Sequence, residues 1–343
     1  MQKLFLSVAM LATLMCSCSE GLQEIIVNDD LTIMPDGEVS NDYSSVKIAL
    51  KGDDESLTRS AITERWESSI TMMTIFAFDS SNSLIVKRDL SAEQLDARSA
   101  LITLPKYLAN SQCQFIAVAN VDTSTVDSYN KLMSLVEESA SVYNGMYDQV
   151  TKQAMRANGF AMSGSAYCVV GEENTTVPLS IVLARTVAKV TTRVNISDDF
   201  LSNYPLSSLE IKSVTITRAA TLGSVAGSAG FTTSHLFTHN QVQSSAMENL
   251  FYIFENGAKN PGSRVVLEIN AVFDRDGNSS TTDDRTDMIY PVELTGAGDG
   301  TIKRNGHYHV AVTIRGLLGQ DCDVSITAAD WANVISQDVE LGG

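Results

Sequence analysis

The amino-acid sequence predicts a mainly β protein with two successive β-sandwiches. Apolar or alternating runs of strand length recur along most of the chain, separated by turn-forming residues, a pattern typical of sandwiches. The chain has 343 residues, which at roughly 150 residues per domain suggests two domains. Polar and turn-forming residues interrupt the apolar pattern between residues 195 and 205. We therefore place the domain boundary there, with sandwiches at 60–196 and 197–331.

In the first half, the earliest strand is predicted over residues 45–50. The residues alternate in polarity, which places Val46, Ile48 and Leu50 on one buried face. A later run, residues 114–120, does not alternate, and this predicts a strand buried on both faces. The other strand-length runs of this half are 72–79, 84–86, 177–183 and 184–194, the first two forming a hairpin across a serine-rich turn.

One stretch of the first half has a helical period. Between Thr125 and Met155, apolar residues recur at steps of three and four, which predicts helices over about 125–156. We expect Gly145 to separate a first helix from a shorter piece at 146–156. The apolar residues that set this period are Val126, Tyr129, Leu132, Met133 and Val136.

The second half is predicted to consist of strands and loops. The small-residue tract from Gly223 to Gly230 reads as a flexible loop. The strand-length runs are 209–216, 265–273, 288–294, 308–315 and 323–331.

The first residues of the chain have the features of a bacterial lipoprotein signal. Lys3 precedes a mostly apolar run at 4–15, which is shorter than the about 20 residues that a membrane-spanning helix needs. Cys18 follows the small residue Ser17, whereas Cys16 follows the bulky Met15. We therefore predict removal of residues 1–17 and lipidation of Cys18, with an ordinary secretory signal as the alternative.

Charge and cysteine content limit the classes of function. The net charge of −17 argues against nucleic acid and anionic membrane surfaces as partners, because both are bound by clustered basic residues. Beyond the signal, Cys113, Cys168 and Cys322 are few and widely spaced, so we expect small buried hydrophobes instead of a disulfide framework. The lipid on Cys18 would be the only attachment to a membrane.

The sequence contains no motif that nominates an enzyme. It lacks a phosphate-binding glycine loop, a nucleophile elbow and paired metal-binding cysteines. His307 and His309 would share one face of a strand, but zinc needs a third ligand that the sequence does not supply. We predict no catalytic residue, no metal and no cofactor.

An acidic segment at 274–287 allows two readings. Asp274, Asp276, Asp283, Asp284 and Asp287 resemble the oxygen-rich loops that bind calcium. An Asp-Gly turn at 276–277 between two strands explains the same residues without an ion. We favour the turn.

Two segments carry a possible mechanism. Residues 57–65 are polar and include Arg59 and Arg65, which a trypsin-like protease could reach in an exposed connection. In the tail, Ile335, Val339 and Leu341 share one face of a strand, with Gln337 among them. Such a strand either completes the sheet of its own chain or pairs with the sheet of another molecule.

Several short motifs follow one another in an order that resembles a known family. They are the lipoprotein cysteine, Thr74-Ile75-Phe76-Ala77-Phe78-Asp79, Ile116-Ala117-Val118-Ala119-Asn120, Met162-Ser163-Gly164, Leu183-Ala184-Arg185-Thr186-Val187-Ala188-Lys189-Val190, and residues 308–331 with their Ala329-Asp330-Trp331 ending. In this order and spacing the chain resembles the Bacteroidales fimbrillins, the subunits of lipoprotein-derived (type V) pili.

The resemblance implies two tandem transthyretin-like β-sandwich domains and a precursor exported to the outer membrane as a lipoprotein. It further implies that an arginine-specific protease removes an N-terminal propeptide, here residues 18–59, by cutting between Arg59 and Ser60. Arg65 is the second candidate. The strand with Val46, Ile48 and Leu50 would be lost.

The same resemblance implies assembly by donor-strand exchange. The tail at 332–343, through Ile335, Val339 and Leu341, would fill the vacated groove of another copy or of another pilus subunit, giving an adhesive fimbria with a host or bacterial target. The alternative is an uncleaved, lipid-anchored surface protein, either a pilus anchor or accessory subunit, or a lipoprotein that binds glycans or host proteins.

Overall fold

The computed structural model describes residues 43–52, 65–138, 145–146, 159–227, 234–240, 246–257, 260–295, 300–317, 322–323, 327–330 and 336–341. Strands dominate these residues, which confirms the predicted mainly β class. The strands are β1 (Tyr43–Gly52), β2 (Met73–Phe78), β3 (Leu84–Asp89), β4 (Ser99–Pro105), β5 (Gln112–Ala119), β6 (Val136–Glu138), β7 (Gly145–Met146), β8 (Met162–Val169), β9 (Thr176–Arg185), β10 (Val187–Ile196), β11 (Ser208–Ala220), β12 (Leu222–Ser224), β13 (Ser234–Asn240), β14 (Ala246–Phe254), β15 (Val266–Asp274), β16 (Arg285–Glu293), β17 (Gly306–Ile314), β18 (Cys322–Asp323), β19 (Thr327–Asp330) and β20 (Ser336–Leu341).

The helices of the described residues are short. They are α1 (Ala92–Asp96), α2 (Tyr129–Met133) and α3 (Asp198–Asn203), with 3-10 turns at Arg65–Ser68 and Lys106–Leu108. Each α-helix begins after a serine whose hydroxyl accepts a hydrogen bond from a backbone N–H group of the first turn. Serine is a common N-cap residue because it pairs an N–H group that has no partner within the helix. In this part of the chain no helix has the length and apolar character of a membrane span.

The strands of the first half form two layers. One layer has the order β3-β2-β5-β8 and is antiparallel throughout. In the other layer, β1 lies between β9, to which it is parallel, and β4, to which it is antiparallel. The layers join where Met162 and Ser163 of β8 pair with Arg185 and Ala184 of β9.

The second half repeats this strand order. One layer is β13-β11-β15-β16, and the other contains β17-β10-β14. As β1 does in the first half, β10 runs parallel to one neighbour, β17, and antiparallel to the other, β14. A large apolar cluster fills the space between the layers in each half, as expected for sheets that each bury one face.

The predicted helices at 125–156 are wrong for most of the residues that the structure describes. The helix α2 ends at Met133, and Val136 begins the short strand β6 instead. The strand is stabilised by pairing with β12, and the buried Glu137 carboxylate accepts a hydrogen bond from the Thr186 hydroxyl at 2.8 Å. Gly145 and Met146 form β7 and pair with β14, while residues 147–156 lie outside the described residues.

The sheets divide earlier than the predicted boundary at 195–205. The predicted boundary places β10 in the first half, yet both partners of this strand, β14 and β17, belong to the second. The division falls at Thr186, between β9 and β10. The polar residues that suggested a boundary instead begin α3, where Ser197 accepts a hydrogen bond from the Phe200 N–H group.

Candidate functional site

The candidate site is the space between β9 and β4 that β1 occupies, here called the acceptor groove. Along β1, Val46 and Ile48 are fully buried and Leu50 is 5% exposed, as the alternation predicted. Ser44 continues this buried face, and its hydroxyl donates to the carbonyl oxygens of Gly171 (2.9 Å) and Glu172 (3.1 Å). The groove is therefore apolar along most of its length and polar at the Ser44 end.

The backbone of β9 has one edge suited to pairing. The Ser45 N–H group donates to the Thr175 oxygen at 2.9 Å, and in a parallel ladder alternate residues direct their backbone groups to the same side. Val177 and every second residue after it therefore face β1. Pro178 faces the opposite edge, where its missing N–H group discourages strand addition. The groove side of β9 is thus the side that accepts a strand.

A cavity lies at the far end of the groove, where β1 ends. Its volume is about 150 Å³, and Arg98 and Arg185 contribute polar groups to its wall. The apolar residues that line it are Leu50, Ile70, Met73, Leu95, Met162 and Leu183. The chain beyond β1, residues 53–64, lies outside the described residues.

Buried polar contacts hold the turn Arg65–Ser68 in place. The carboxylate of Glu67 is fully buried and accepts bonds from Lys189 Nζ at 2.8 Å and the Tyr252 hydroxyl at 2.6 Å. The Glu67 backbone oxygen accepts a bond from Arg185 Nε at 2.7 Å. We call residues 65–68 the anchored turn, because Glu67 ties them to the junction between β9 and β10.

The tail forms a strand of its own chain. The backbone of β20 runs parallel to β17, with Ser336 opposite His309 and Leu341 opposite Ile314. On its other flank, the described residues that pair with it are Cys322 and Asp323 of β18. Of the two alternatives left open by the sequence, this structure has the tail completing its own sheet.

The structure does not bring the predicted site residues together. The removable strand, with Val46, Ile48 and Leu50, and the tail, with Val339 and Leu341, belong to different sheets. Arg65 begins the anchored turn. The residues Cys18, Arg59, Ser60 and Ile335 lie outside the described residues.

Sequence reasoning missed the Glu67 contacts. Nothing in the run around Glu67 distinguishes it from other surface acids. The usable signal was Lys189, a charged residue between the apolar neighbours Ala188 and Val190 of a strand. A lysine at such a position needs a buried acidic partner, because an unpaired buried ammonium is costly.

The two histidines of β17 meet at a threonine, on the single face that the sequence predicted. Thr191 Oγ1 is 3.2 Å from His307 Nε2 and 3.0 Å from His309 Nδ1. Burial, aided by the charge of Lys189 and by His309, lowers the pKa of His307 to about 3. The described residues place no third metal-binding side chain with them.

The acidic segment folds as the loop between β15 and β16. Carboxylate oxygens of Asp274, Asp276 and Asp284 lie within 4.8 Å of one another. Asp274 also accepts a bond from Arg285 Nε at 3.1 Å, and the Asp276 N–H group donates to Asp284 at 3.0 Å. Although burial opposes it, hydrogen bonding to Arg285 keeps the pKa of Asp274 below its usual value.

The cysteines described by the structure behave as small apolar residues. Cys113 and Cys168 are buried and unbonded to each other, and they lie opposite one another on β5 and β8. Burial raises the pKa of Cys113 to about 11. Its thiol is therefore protonated and unreactive at neutral pH.

Comparison with known proteins identifies the family. Residues 41–337 match the family described as fimbrillin-A associated anchor proteins Mfa1 and Mfa2, and the chain belongs to this family. It is a family of fimbrial and cell-adhesion proteins, which implies a place on surface fimbriae. No protein in a search of curated proteins matches the chain.

Solved structures share the fold. The tip fimbrial protein Mfa3 from Porphyromonas gingivalis, with a C-terminal truncation, is 14% identical, with a TM-score of 0.53 over 84% of this chain and 100% of that one. A fimbrillin, fimA, from Porphyromonas gingivalis W83 is 16% identical, with a TM-score of 0.53 over 80% of this chain and 90% of that one.

Proposed function

We propose that this protein is a structural fimbrillin, exported as a lipoprotein on Cys18, trimmed after Arg59 and polymerised by donor-strand exchange. The proposal includes a fold of two tandem transthyretin-like sandwiches that meet near Thr186. The observation that carries the proposal is the position of β1. This strand precedes the candidate cut, yet it fills the acceptor groove between β9 and β4.

Loss of β1 would leave a strong binding site. Burial of each of Val46, Ile48 and Leu50 contributes about 1.5–3 kcal/mol, and each buried backbone group left unpaired costs about 1–3 kcal/mol. The cut itself breaks only the covalent link. A strand from another copy can then compete with β1, which has become a separate peptide.

The tail is suited to donation because it already forms a strand. Among the described residues, β20 pairs with β17 along its whole length and with Cys322 and Asp323 of β18. In the acceptor groove the same strand would lie between β9 and β4 and would pair with both. Each backbone hydrogen bond formed there contributes about 0.5–1.5 kcal/mol net.

The polar end of the groove fixes a register for the donated strand. Without Ser44, the carbonyl groups of Gly171 and Glu172 lose its hydroxyl as a donor. Gln337 is the polar residue on the apolar face of the tail, and its amide has two N–H groups. With Gln337 in place of Ser44, Val339 takes the position of Val46.

Two further consequences follow from this register. Leu341 takes the position of Ile48, and the charged residues Asp338 and Glu340 face outward. A shift by two residues would put the Gln337 amide in the apolar part of the groove, where an unpaired polar group is costly. Such a head-to-tail contact does not close on itself and therefore produces a filament.

A second candidate function is that of an uncleaved, lipid-anchored subunit. The family description names anchor proteins, and β1 fills the groove in this structure. In that role the chain would keep its lipid at Cys18 and could bind other subunits, glycans or host proteins through its loops. The two candidates differ in whether β1 is retained.

Polymerisation of the purified precursor tests the main proposal. After treatment with an arginine-specific, trypsin-like protease, we expect the wild-type protein to form ladders on a gel run without boiling. Val339→Asp should abolish the ladders, because the charge would enter the groove. Asp338→Asn, on the outward face, is the matched control and should polymerise. Cleaved protein that remains monomeric, with the tail variants indistinguishable, contradicts the proposal and favours the lipid-anchored subunit.

A further inference from the structure

The two candidate cutting sites differ in their distance from the anchored turn. Arg59 and Arg65 are the first two arginines of the chain. Glu67 is the second residue after the Arg65–Trp66 bond, and it is fully buried. In the sequence, residues 60–64 separate the Arg59–Ser60 bond from the anchored turn.

Endoproteases bind several residues on each side of the scissile bond in an extended conformation. A bond is therefore cut readily only where the chain on both sides can leave the protein surface. At Arg65 the backbone already forms a 3-10 turn. An extended conformation there requires Glu67 to leave its contacts with Lys189 and Tyr252.

Movement of Glu67 out of its site would remove a bonding partner from buried charged groups. The side chain of Lys189 is 2% exposed, so removal of Glu67 leaves an ammonium group without its buried acidic partner. The Arg185 guanidinium loses the Glu67 backbone oxygen, although it still donates to Asn305 Oδ1 at 2.9 Å. The anchored turn is thus fixed by three groups from β9, β10 and β14.

We propose that the contacts of Glu67 protect the Arg65–Trp66 bond from cutting by an arginine-specific protease. This inference rests on the proposed maturation by proteolysis and adds its regulation.

The test is a cleavage map of the full-length precursor, measured by intact mass after limited digestion with an arginine-specific protease. The wild type and Arg65→Ala should both yield a chain that begins at Ser60. Arg59→Ala should be cut at least tenfold more slowly than the wild type. If Arg59→Ala is cut after Arg65 as fast as the wild type is cut after Arg59, the proposal is overturned.

A second variant tests whether the contacts of Glu67, and not the amino-acid sequence around Arg65, prevent cutting. A five-residue Gly-Ser spacer between Trp66 and Glu67, in the Arg59→Ala background, keeps the contacts of Glu67 and moves Arg65 away from them. We expect rapid cutting after Arg65 in this variant. The same spacer between Ser80 and Ser81, in an exposed turn, is the matched control and should leave the protein resistant. Continued resistance of the first spacer variant would overturn the proposal.

This result is independent of polymerisation. Selective cutting after Arg59 without ladders would contradict donor-strand exchange and leave the role of Glu67 intact. Cutting at both arginines together with normal ladders would contradict the role of Glu67 and leave donor-strand exchange intact.

Discussion

At the scale of single residues, the buried polar side chains mark positions that an apolar pattern alone does not explain. Lys189, Glu67 and Tyr252 form one hydrogen-bonded group. An apolar replacement of a buried ion pair is often no less stable, so stability alone does not account for it. Its directional contacts instead fix the position of the anchored turn against β10 and β14.

His307 gives a prediction about the pH dependence of stability. Its pKa is about 3 in the folded protein and close to the ordinary value of about 6.5 in the unfolded chain. Between these values the unfolded chain binds the extra proton, so the free energy of unfolding falls as the pH is lowered, by up to about 1.4 kcal/mol per pH unit. Above pH 6.5 both states are neutral and the contribution is constant.

The replacement His307→Asn should remove this part of the slope. Urea unfolding of both proteins at pH 7.5, 6.5 and 5.5 measures it, and the wild type should lose more stability than the variant over that range. Equal losses for the two proteins would show that burial does not keep His307 neutral.

At the scale of elements, the sequence predicted strands with a clear period and failed where a partner decides the conformation. The alternation of β1 identified its buried face, and the continuous apolar run of β5 identified burial on both sides. Val136 continues the helical spacing of α2, yet it pairs with β12. The small residues from Gly223 to Gly230 predict a loop, but Gly223 belongs to β12, where an added Cβ would lie 2.2 Å from the ring of Phe254.

Strand β1 gives a prediction at this scale. Ile48→Ala should lower the free energy of unfolding of the precursor by about 2–5 kcal/mol, because it leaves a cavity between the two layers. Lys47→Ala, on the exposed face of the same strand, should change it by less than about 0.5 kcal/mol. Urea unfolding measures both effects.

The Ile48→Ala replacement also tests whether β1 remains in the assembled polymer. If β1 is discarded, fimbriae assembled from the Ile48→Ala precursor should dissociate at the wild-type denaturant concentration. A polymer weakened as much as the precursor would mean that β1 remains in place.

At the scale of the whole molecule, the repeated strand order links the two ends of the chain. The first strand of each half runs parallel to the strand that completes the repeated order, β1 with β9 and β10 with β17. The tail also runs parallel to β17, so it already has the direction that it would take beside β9. Sequence patterns could not show this, because strand partners distant in the chain leave no local signal.

The domain boundary illustrates the same limit. Polar residues interrupt the apolar pattern of the sequence at 195–205. Most of β10 precedes them, however, and this strand belongs to the second pair of layers. The position of a boundary depends on which strands pair. The polar residues mark only a helix start and a turn.

The most direct test of the account is a disulfide between subunits that reports the place of the tail. Ser45 lies opposite Thr103 of β4 and directs its backbone groups to β9, so the pair is a non-hydrogen-bonded one, with Cα atoms about 4.5 Å apart. The proposed register puts Asp338 at this position, within the range for a disulfide of about 4.4–6.8 Å. A register shifted by two residues puts it opposite Leu101 instead.

The measurement mixes an Asp338→Cys donor with a Thr103→Cys acceptor that lacks residues 335–341, both carrying Cys322→Ser. If the tail of another copy replaces β1, a disulfide-linked dimer should form only after the acceptor is cut at Arg59, with little linkage to a Leu101→Cys acceptor. No linkage after cutting, or equal linkage to an uncut acceptor, would contradict the replacement of β1 by the tail of another copy.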